Sequence, residues 1–194
     1  MEFYIDPNVL HKVTKIDERA DVELETPTIF AIYLTMGNYG GVKKMLNDIL
    51  TKKYILQNGI EFEQFLEYGG PYDLAIVEYT EDGKEKLFSG LAYDIYVNGN
   101  IESYFYVENG VKQGQFVEFY RNGNIKLIGN MDKSAAEGYQ VEFYENGVKK
   151  YESECIAGRE MTFKKYDEQG NIIEQKSEPT ESDLVYAKRF SSEI

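Results

Sequence analysis

The chain has 194 residues, 42% of them hydrophobic, which is enough to bury a core in one or two domains. Its net charge is −13, with 11 acids and 7 bases in residues 1–70 and 23 acids and 14 bases in residues 71–194. This charge disfavours nucleic-acid phosphates and anionic lipids as partners, and the single cysteine and single histidine exclude an intrachain disulfide and a zinc site built from Cys and His.

The sequence predicts a cytoplasmic protein. Residues 1–7 have neither a basic start nor the apolar core of a signal peptide. No apolar run approaches the roughly 18 residues that a membrane helix needs.

Residues 1–70 read as a small α/β portion. Residues 3–5 and 27–36 are rich in Ile, Phe, Tyr and Thr and predict strands. A helix follows, because apolar residues recur with helical spacing at Val42, Met45, Leu46, Ile49 and Leu50. Asn58-Gly59 predicts a turn, and residues 61–66 fit either a short helix or a strand.

The glycine-rich residues 37–41 lie between a predicted strand and a predicted helix, where phosphate-binding loops occur. They match neither the Walker pattern nor Gly-x-Gly-x-x-Gly, so we interpret them as a tight turn.

From Gly69-Gly70-Pro71 onward the sequence alternates between strand-like runs and turns, and it repeats every 24 residues. Three tyrosines with this spacing each stand two positions before the Asn of an Asn-Gly pair: Tyr96, Tyr120 and Tyr144 before Asn98-Gly99, Asn122-Gly123 and Asn146-Gly147. Asn109-Gly110 adds a further pair. Asn-Gly between half-apolar runs predicts a hairpin with a type I′ turn. A fixed period predicts one hairpin unit per repeat, stacked edge to edge.

Strand alternation sorts each repeat into two sides. One side is apolar in every copy and is predicted to be buried; it comprises Tyr93, Val117, Val141, Ile95, Phe119 and Phe143. The other side holds a row of acids and a row of tyrosines, namely Asp94, Glu118, Glu142, Tyr96, Tyr120 and Tyr144.

Two interpretations of the second side remain open. In the structural one, tyrosines stack between copies and acids keep the face in water. In the functional one, tyrosines anchor a partner protein and carboxylates bind its Lys or Arg. We expect the acids to stand opposite one another on neighbouring strands, where like charges are mildly destabilising, and this cost favours the functional interpretation.

Residues 179–194 predict a closing helix. Thr180 followed by Asp183 fits a capping box, and the chain ends with helix-compatible apolar residues. Cys155, in the strand after the third Asn-Gly turn, is predicted to be a small buried residue.

Residues 114–126 (Gly-Gln-Phe-Val-Glu-Phe-Tyr-Arg-Asn-Gly-Asn-Ile-Lys) and 138–150 (Gly-Tyr-Gln-Val-Glu-Phe-Tyr-Glu-Asn-Gly-Val-Lys-Lys) resemble the short bacterial variant of the MORN repeat. Residues 106–114 are similar to its linking segment, and the resemblance covers roughly residues 72–175. Bacterial proteins with such repeats are described as antitoxin components of toxin–antitoxin systems and as immunity proteins beside polymorphic toxins. The resemblance implies an elongated sheet of hairpins with a protein-binding role and brings no catalytic residues.

The predicted fold class is therefore α+β. Residues 1–70 form an N-terminal α/β capping domain, residues 71–178 form the MORN-like hairpin array, and residues 179–194 form a C-terminal capping helix and tail.

The resemblance and the acidity together imply an immunity protein or antitoxin that binds a cognate, basic toxin such as a nuclease and occludes its active site. The predicted partner-binding residues are Asp94, Tyr96, Glu118, Tyr120, Glu142 and Tyr144. No catalytic residue, cofactor or metal is predicted, and neither nucleic acid nor membrane is an expected partner. The alternative function is a MORN scaffold that has no toxin partner. An enzyme that uses residues 1–70 would need a deep pocket. The sequence does not determine the oligomeric state.

Overall fold

The structure is a computed structural model that describes residues 45–46 and 48–190. The strands predicted at residues 3–5 and 27–36, the loop at residues 37–41 and the single histidine lie outside the described residues.

The described chain begins with short elements and continues as successive hairpins. The short elements are helix α1 (Lys52–Asn58), strand β1 (Gly59–Glu61), helix α2 (Phe62–Phe65), strand β2 (Glu67–Gly69), a 3-10 turn (Pro71–Asp73), and strands β3 (Ala75–Tyr79) and β4 (Glu85–Leu87). The hairpin strands are β5 (Gly90–Ile95), β6 (Ile101–Glu108), β7 (Val111–Phe119), β8 (Ile125–Asp132), β9 (Ala135–Ala136), β10 (Gly138–Phe143), β11 (Lys149–Ile156), β12 (Arg159–Tyr166) and β13 (Ile172–Lys176). Helix α3 (Glu181–Phe190) follows.

Most strands belong to one large mixed sheet with the order β1-β5-β6-β7-β8-β10-β11-β12-β13 and with β9 beside β8. Strand β1 runs parallel to β5, and the hairpin strands pair antiparallel in sequence order. A smaller sheet has the order β2-β3-β4. The α+β class, with a large hairpin sheet and a short C-terminal helix, is confirmed at this level.

The three-part division of the chain into domains stays a prediction. Gly69-Gly70-Pro71, which marked the junction at residue 70, connects β2 to β3 within the smaller sheet.

The turns at the Asn-Gly pairs of the three 24-residue copies are three-residue loops that close on a left-handed glycine. In the first, Gly99 N–H donates to Tyr96 O at 2.7 Å and Tyr96 N–H donates to Asn100 O at 2.8 Å. Gly99 has φ of 79°, whereas Asn98 stays at negative φ. A type I′ turn needs positive φ at both central residues, so the prediction of type I′ turns at these three pairs is wrong.

Both residues have positive φ in the two-residue turns at the opposite ends of the strands. These turns are Asn109-Gly110, Lys133-Ser134 and Ala157-Gly158, with φ between 48° and 82°. They also recur every 24 residues, and only the first is an Asn-Gly pair. The repeat therefore contains two turns, one of each type.

A tyrosine hydroxyl ties each repeat to the next. Tyr96 donates to Phe119 O, Tyr120 to Phe143 O and Tyr144 to Tyr166 O, each at 2.8 Å. The accepting carbonyl always belongs to the residue just before the next turn. The fourth turn has Asp167 in the tyrosine position, and its Oδ1 accepts from Asn171 N–H at 2.8 Å within the same turn.

The main core lies on one side of the large sheet, the packed face, which carries the row Tyr93–Tyr104–Val117–Ile128–Val141 in register. Tyr104, Val117, Ile128 and Val141 are at most 1% exposed, and Leu46 and Ile55 belong to the same cluster. Burying a Val or Ile side chain contributes about 1.5–3 kcal/mol. The predicted apolar side of the repeat is confirmed as this face, and Cys155 is buried as expected.

The helix predicted from Val42 to Leu50 is only partly present. Met45 and Leu46 are helical, Val42 lies outside the described residues, and Ile49 and Leu50 are not helical although they pack on the core. The next helix starts after Thr51, whose Oγ1 accepts from Tyr54 N–H at 3.2 Å. This N-cap therefore begins a separate helix directly after the predicted pattern ends at Leu50.

The capping box before α3 is confirmed. Asp183 N–H donates to Thr180 Oγ1 at 3.2 Å, and Thr180 N–H donates to Asp183 Oδ2 at 2.7 Å. Neither this helix nor any other among the described residues has the length and apolar character to cross a membrane.

We expect the substitution Tyr120→Phe to lower the free energy of unfolding by about 1 kcal/mol, because it removes the hydrogen bond to Phe143 O and leaves the ring in place. The matched control is Tyr106→Phe, since the Tyr106 hydroxyl makes no hydrogen bond within the described chain. Urea unfolding of both variants checks this, and equal losses would contradict a specific role for the inter-repeat bond.

Candidate protein-binding face

The side of the large sheet opposite the packed face is called the outer face. Strand register places one continuous row across it: Asp94, Ser103, Glu118, Leu127, Glu142, Tyr151, Lys165 and Glu174. The smaller sheet covers the beginning of this face, where Ile76 and Phe88 pack with Ala92 and Phe105. Farther along the row, the side chains of Glu118 and Glu174 are 30% and 60% exposed.

The three predicted acids, Asp94, Glu118 and Glu142, lie on this face but on alternate strands. Ser103 separates the first two, and Leu127 separates the second from the third. Two strand spacings make the separation about 10 Å. The expectation that these acids stand opposite one another is wrong, because each repeat contributes two strands. Mutual repulsion is therefore no argument for binding.

Two of the acids already have cations. Lys126 Nζ lies 2.7 Å from Glu118 Oε2, and Lys150 Nζ lies 2.7 Å from Glu142 Oε1. Each lysine is the extra residue of a β-bulge that recurs at the same place in the repeat. The hydrogen bond to its glutamate raises the pKa of each lysine. Such half-exposed pairs contribute at most about 1 kcal/mol, and they neutralise the local charge.

The predicted tyrosines Tyr96, Tyr120 and Tyr144 are half-buried on the same side as the acids. Lys150 shows this, because its Nζ pairs with Glu142 and lies 5.9 Å from the ring centre of Tyr144. The hydroxyls of these tyrosines link successive repeats through hydrogen bonds, whereas the structural interpretation expected the tyrosines to stack between copies. Their use as anchors for a partner stays a prediction.

Asp94 differs from the other two acids. The bulge position that holds lysine in the later repeats is Glu102 here. Asp94 Oδ2 meets only Ser103 Oγ at 3.4 Å, and Oδ1 is buried with no hydrogen-bond partner among the described residues. Burial raises the pKa of Asp94 and the charges of Glu63 and Glu102 raise it further, whereas hydrogen bonding to Ser103 and, more weakly, to the main chain of Glu63 opposes the shift.

The nearest lysine on this part of the face does not replace the missing cation. Lys112 Nζ lies over the Phe105 ring, 4.1 Å from its centre, and burial lowers the pKa of this lysine. The charges of Asp94 and Glu118 oppose that shift, but Lys112 forms no ion pair with either within the described chain. Among the described residues, Asp94 is thus the one row acid that forms no ion pair.

A separate polar cluster lies on the packed face beyond Val141. The carboxylate of Glu152 accepts hydrogen bonds from Tyr139, from Tyr166 at 2.6 Å and from Lys149 at 2.7 Å. Burial alone would raise its pKa, but the hydrogen bonds from Lys149, Tyr139 and Tyr166 outweigh burial and lower the pKa to about 2. The buried row on the packed face therefore ends at Glu152, whose charged carboxylate is stabilised by hydrogen bonds.

The sequence contained a signal for the paired lysines that our prediction missed. Lys126 and Lys150 each follow their glutamate by eight residues, so they repeat with the same 24-residue period as the acids. The same spacing from Asp94 leads to Glu102, which marks the first repeat as different.

No protein-family model and no curated protein matches the sequence. The likeness to bacterial MORN repeats rests on the repeat residues alone.

We expect Glu102→Lys to raise the free energy of unfolding at pH 7 by up to about 1 kcal/mol, because it supplies Asp94 with the cation that the later repeats have. Glu108→Lys is the matched control: it lies on the same strand, is exposed and changes the net charge equally. Urea unfolding of both variants checks this. An equal gain in both would trace the effect to net charge rather than to the Asp94 pair.

We expect Glu152→Gln to cost about 2–3 kcal/mol of stability at pH 7, because the pKa of Glu152 falls from 4.5 to about 2 on folding. A lowered pKa stabilises the fold above pH 4.5, and this contribution disappears as the pH falls toward 2. The difference from the wild-type chain should therefore shrink on acidification in urea-unfolding curves from pH 7 to pH 3.

Glu154→Gln is the control with the opposite sign. Burial raises the pKa of Glu154, so its contribution is present at low pH and is lost as the pH rises. The wild-type advantage over this variant should grow on acidification. A constant difference for Glu152→Gln at all pH values would refute the role of its ionisation.

Proposed function

We propose that this protein is an immunity protein or antitoxin whose outer face binds a basic bacterial toxin and covers the toxin's active site. The hairpin array has the architecture that the resemblance to bacterial MORN repeats implies. One side of the array forms the main core and the smaller sheet covers the beginning of the outer face, where Asp94 is half-buried, so the outer face from there onward remains for a partner.

The observation that carries the proposal is that no cation pairs with the Asp94 carboxylate within the described chain, whereas the other predicted acids, Glu118 and Glu142, pair with lysines. A Lys or Arg from a partner would complete at Asp94 the ion pair that the later repeats make internally. The sequence predicted three equivalent charge partners, and the ion pairs of Glu118 and Glu142 favour Asp94 among them.

The size of the face is compatible with a protein partner. Strands β7 to β13 along the sheet order span five strand spacings, roughly 24 Å, and six residues of strand span roughly 20 Å. The area of this part of the face is therefore about 500 Å², more than half of the roughly 800 Å² that one partner contributes to a standard interface. The remaining contact would come from the loops or the smaller sheet.

The overall charge favours a basic partner. Residues 71–194 carry 23 acids and 14 bases, and a field of this sign accelerates encounter with a positively charged protein. Because Glu118 and Glu142 are locally neutralised, the unpaired acids produce this field. We expect a strong dependence of the association rate on salt.

The test is co-expression with the product of a neighbouring gene that carries a toxic domain. We expect wild-type protein to neutralise that toxin and to bind it in a pull-down. Glu102→Lys should weaken binding at least tenfold, because an internal lysine then occupies Asp94, whereas the charge-matched Glu108→Lys should bind as the wild type does.

The possible outcomes distinguish the proposed role as a toxin-binding protein from the proposed contact at Asp94. Neutralisation that Glu102→Lys leaves intact would keep the toxin partner and reject Asp94 as the contact. Failure to bind any toxic neighbour, together with flotation on anionic vesicles, would reject the toxin partner and support the scaffold alternative.

A further inference from the structure

A cleft of about 320 Å³ opens on the outer face where the third and fourth repeats meet. Two aromatic rings, three carboxylates and two lysines line it. Register places Tyr151 between Glu142 and Lys165, and Lys165 beside Glu174, so the cleft continues the row that begins at Asp94. The predicted partner-binding residues end at Tyr144, whereas this cleft also includes residues of the following strands.

The rings of Tyr151 and Phe163 form one wall. They are stacked with centres 5.6 Å apart and planes inclined by 18°. Both residues are half-buried. A parallel aromatic pair of this kind presents a flat, rigid contact area.

The charges around the cleft leave one carboxylate without a cation. Glu142 pairs with Lys150 at 2.7 Å, and Glu174 lies 3.9 Å from Lys165. Glu160 Oε1 accepts the Tyr151 hydroxyl at 2.7 Å. Within the described chain, no lysine or arginine forms an ion pair with the Glu160 side chain. The cleft therefore has one net negative charge beside an aromatic wall.

We propose that this cleft receives an arginine side chain of the protein partner, an inference that rests on the proposed function. A guanidinium is planar, stacks on aromatic rings and donates several hydrogen bonds to carboxylates, whereas the lysine ammonium is a compact, strongly hydrated charge. A cavity of about 320 Å³ lies at the lower end of ligand-pocket volumes, which suits one side chain.

The chain builds the same arrangement internally next to α3. The Arg159 guanidinium lies 5.0 Å from the ring centre of Tyr186, and its Nε donates to Asp183 Oδ1 at 2.7 Å. The cleft offers an incoming arginine the corresponding groups, with Tyr151 and Phe163 as the aromatic surface and Glu160 as the carboxylate.

The experiment titrates the full ¹⁵N-labelled chain with N-acetyl-arginine-N-methylamide and follows backbone amide shifts. We expect saturable shifts centred on Tyr151 and Phe163. The citrulline analogue, which has nearly the same shape but no charge, should cause none, and the lysine analogue should bind at least threefold more weakly.

Glu160→Gln keeps an acceptor for the Tyr151 hydroxyl and removes the charge, so it should weaken arginine binding at least fivefold. Glu168→Gln, an exposed acid in the fourth turn, is the matched control and should leave binding unchanged. Phe163→Leu removes the aromatic wall and should also weaken binding. Unperturbed amide spectra of the free variants establish that each is folded.

Equal shifts with the citrulline analogue, or undiminished binding in both Glu160→Gln and Phe163→Leu, would overturn the cleft proposal. Arginine binding without any toxic neighbour to neutralise would support the cleft and reject the proposed function. Neutralisation of a toxin by a chain that binds no arginine analogue would do the reverse.

Discussion

The fold depends on a hydrogen bond from a tyrosine hydroxyl to the main chain of the next repeat. Tyr96, Tyr120 and Tyr144 each cross two strand spacings to the carbonyl before the next turn. This bond is satisfied only when successive hairpins are in one register, because slipping a strand by one residue would turn every side chain to the opposite face. The tyrosines therefore stabilise the register that keeps Val117 and Val141 on the packed face.

The same constraint limits what the repeats can offer to a partner. A tyrosine whose hydroxyl donates to Phe119 O, or a glutamate that pairs with Lys126, must lose an internal contact before it makes an equivalent external one. Binding to the regular copies would exchange one hydrogen bond for another with little net gain. Favourable binding energy is expected at carboxylates that form no ion pair within the described chain, namely Asp94 in the first repeat and Glu160 in the fourth.

Sequence periodicity predicted the parts of the fold that depend on residue type at a fixed spacing. It found the apolar side, the glycine turns and the closing helix, because each has a strong local signal. It did not find the turn at Lys133-Ser134, since neither residue favours positive φ and the surrounding strands impose it. It also predicted, wrongly, that the three acids lie on neighbouring strands, because it did not allow for the second strand that each repeat contributes.

The sequence predicted which face of the sheet holds the candidate site, but not which of its acids form ion pairs. Asp94, Glu118 and Glu142 look equivalent along the sequence, and the difference between them lies at a bulge residue eight positions later. A bulge is defined by pairing between strands, so a search within one strand does not connect Glu102 with Asp94.

The end of the array follows from the same reasoning about satisfied and unsatisfied groups. A fourth tyrosine at the position of Asp167 would have no following carbonyl, and a half-buried hydroxyl without a partner is destabilising. Asp167 instead accepts hydrogen bonds from the side chain and the main-chain N–H of Asn171 within its own turn, and these bonds lower the pKa of Asp167. An acidic, self-satisfied turn beside β13 also discourages the addition of another strand to the exposed edge, where Ile172 and Ile173 are 51% and 57% exposed. The departure from the repeat at Asp167 thus lies two residues after Lys165, which lines the cleft where Glu160 forms no ion pair within the described chain.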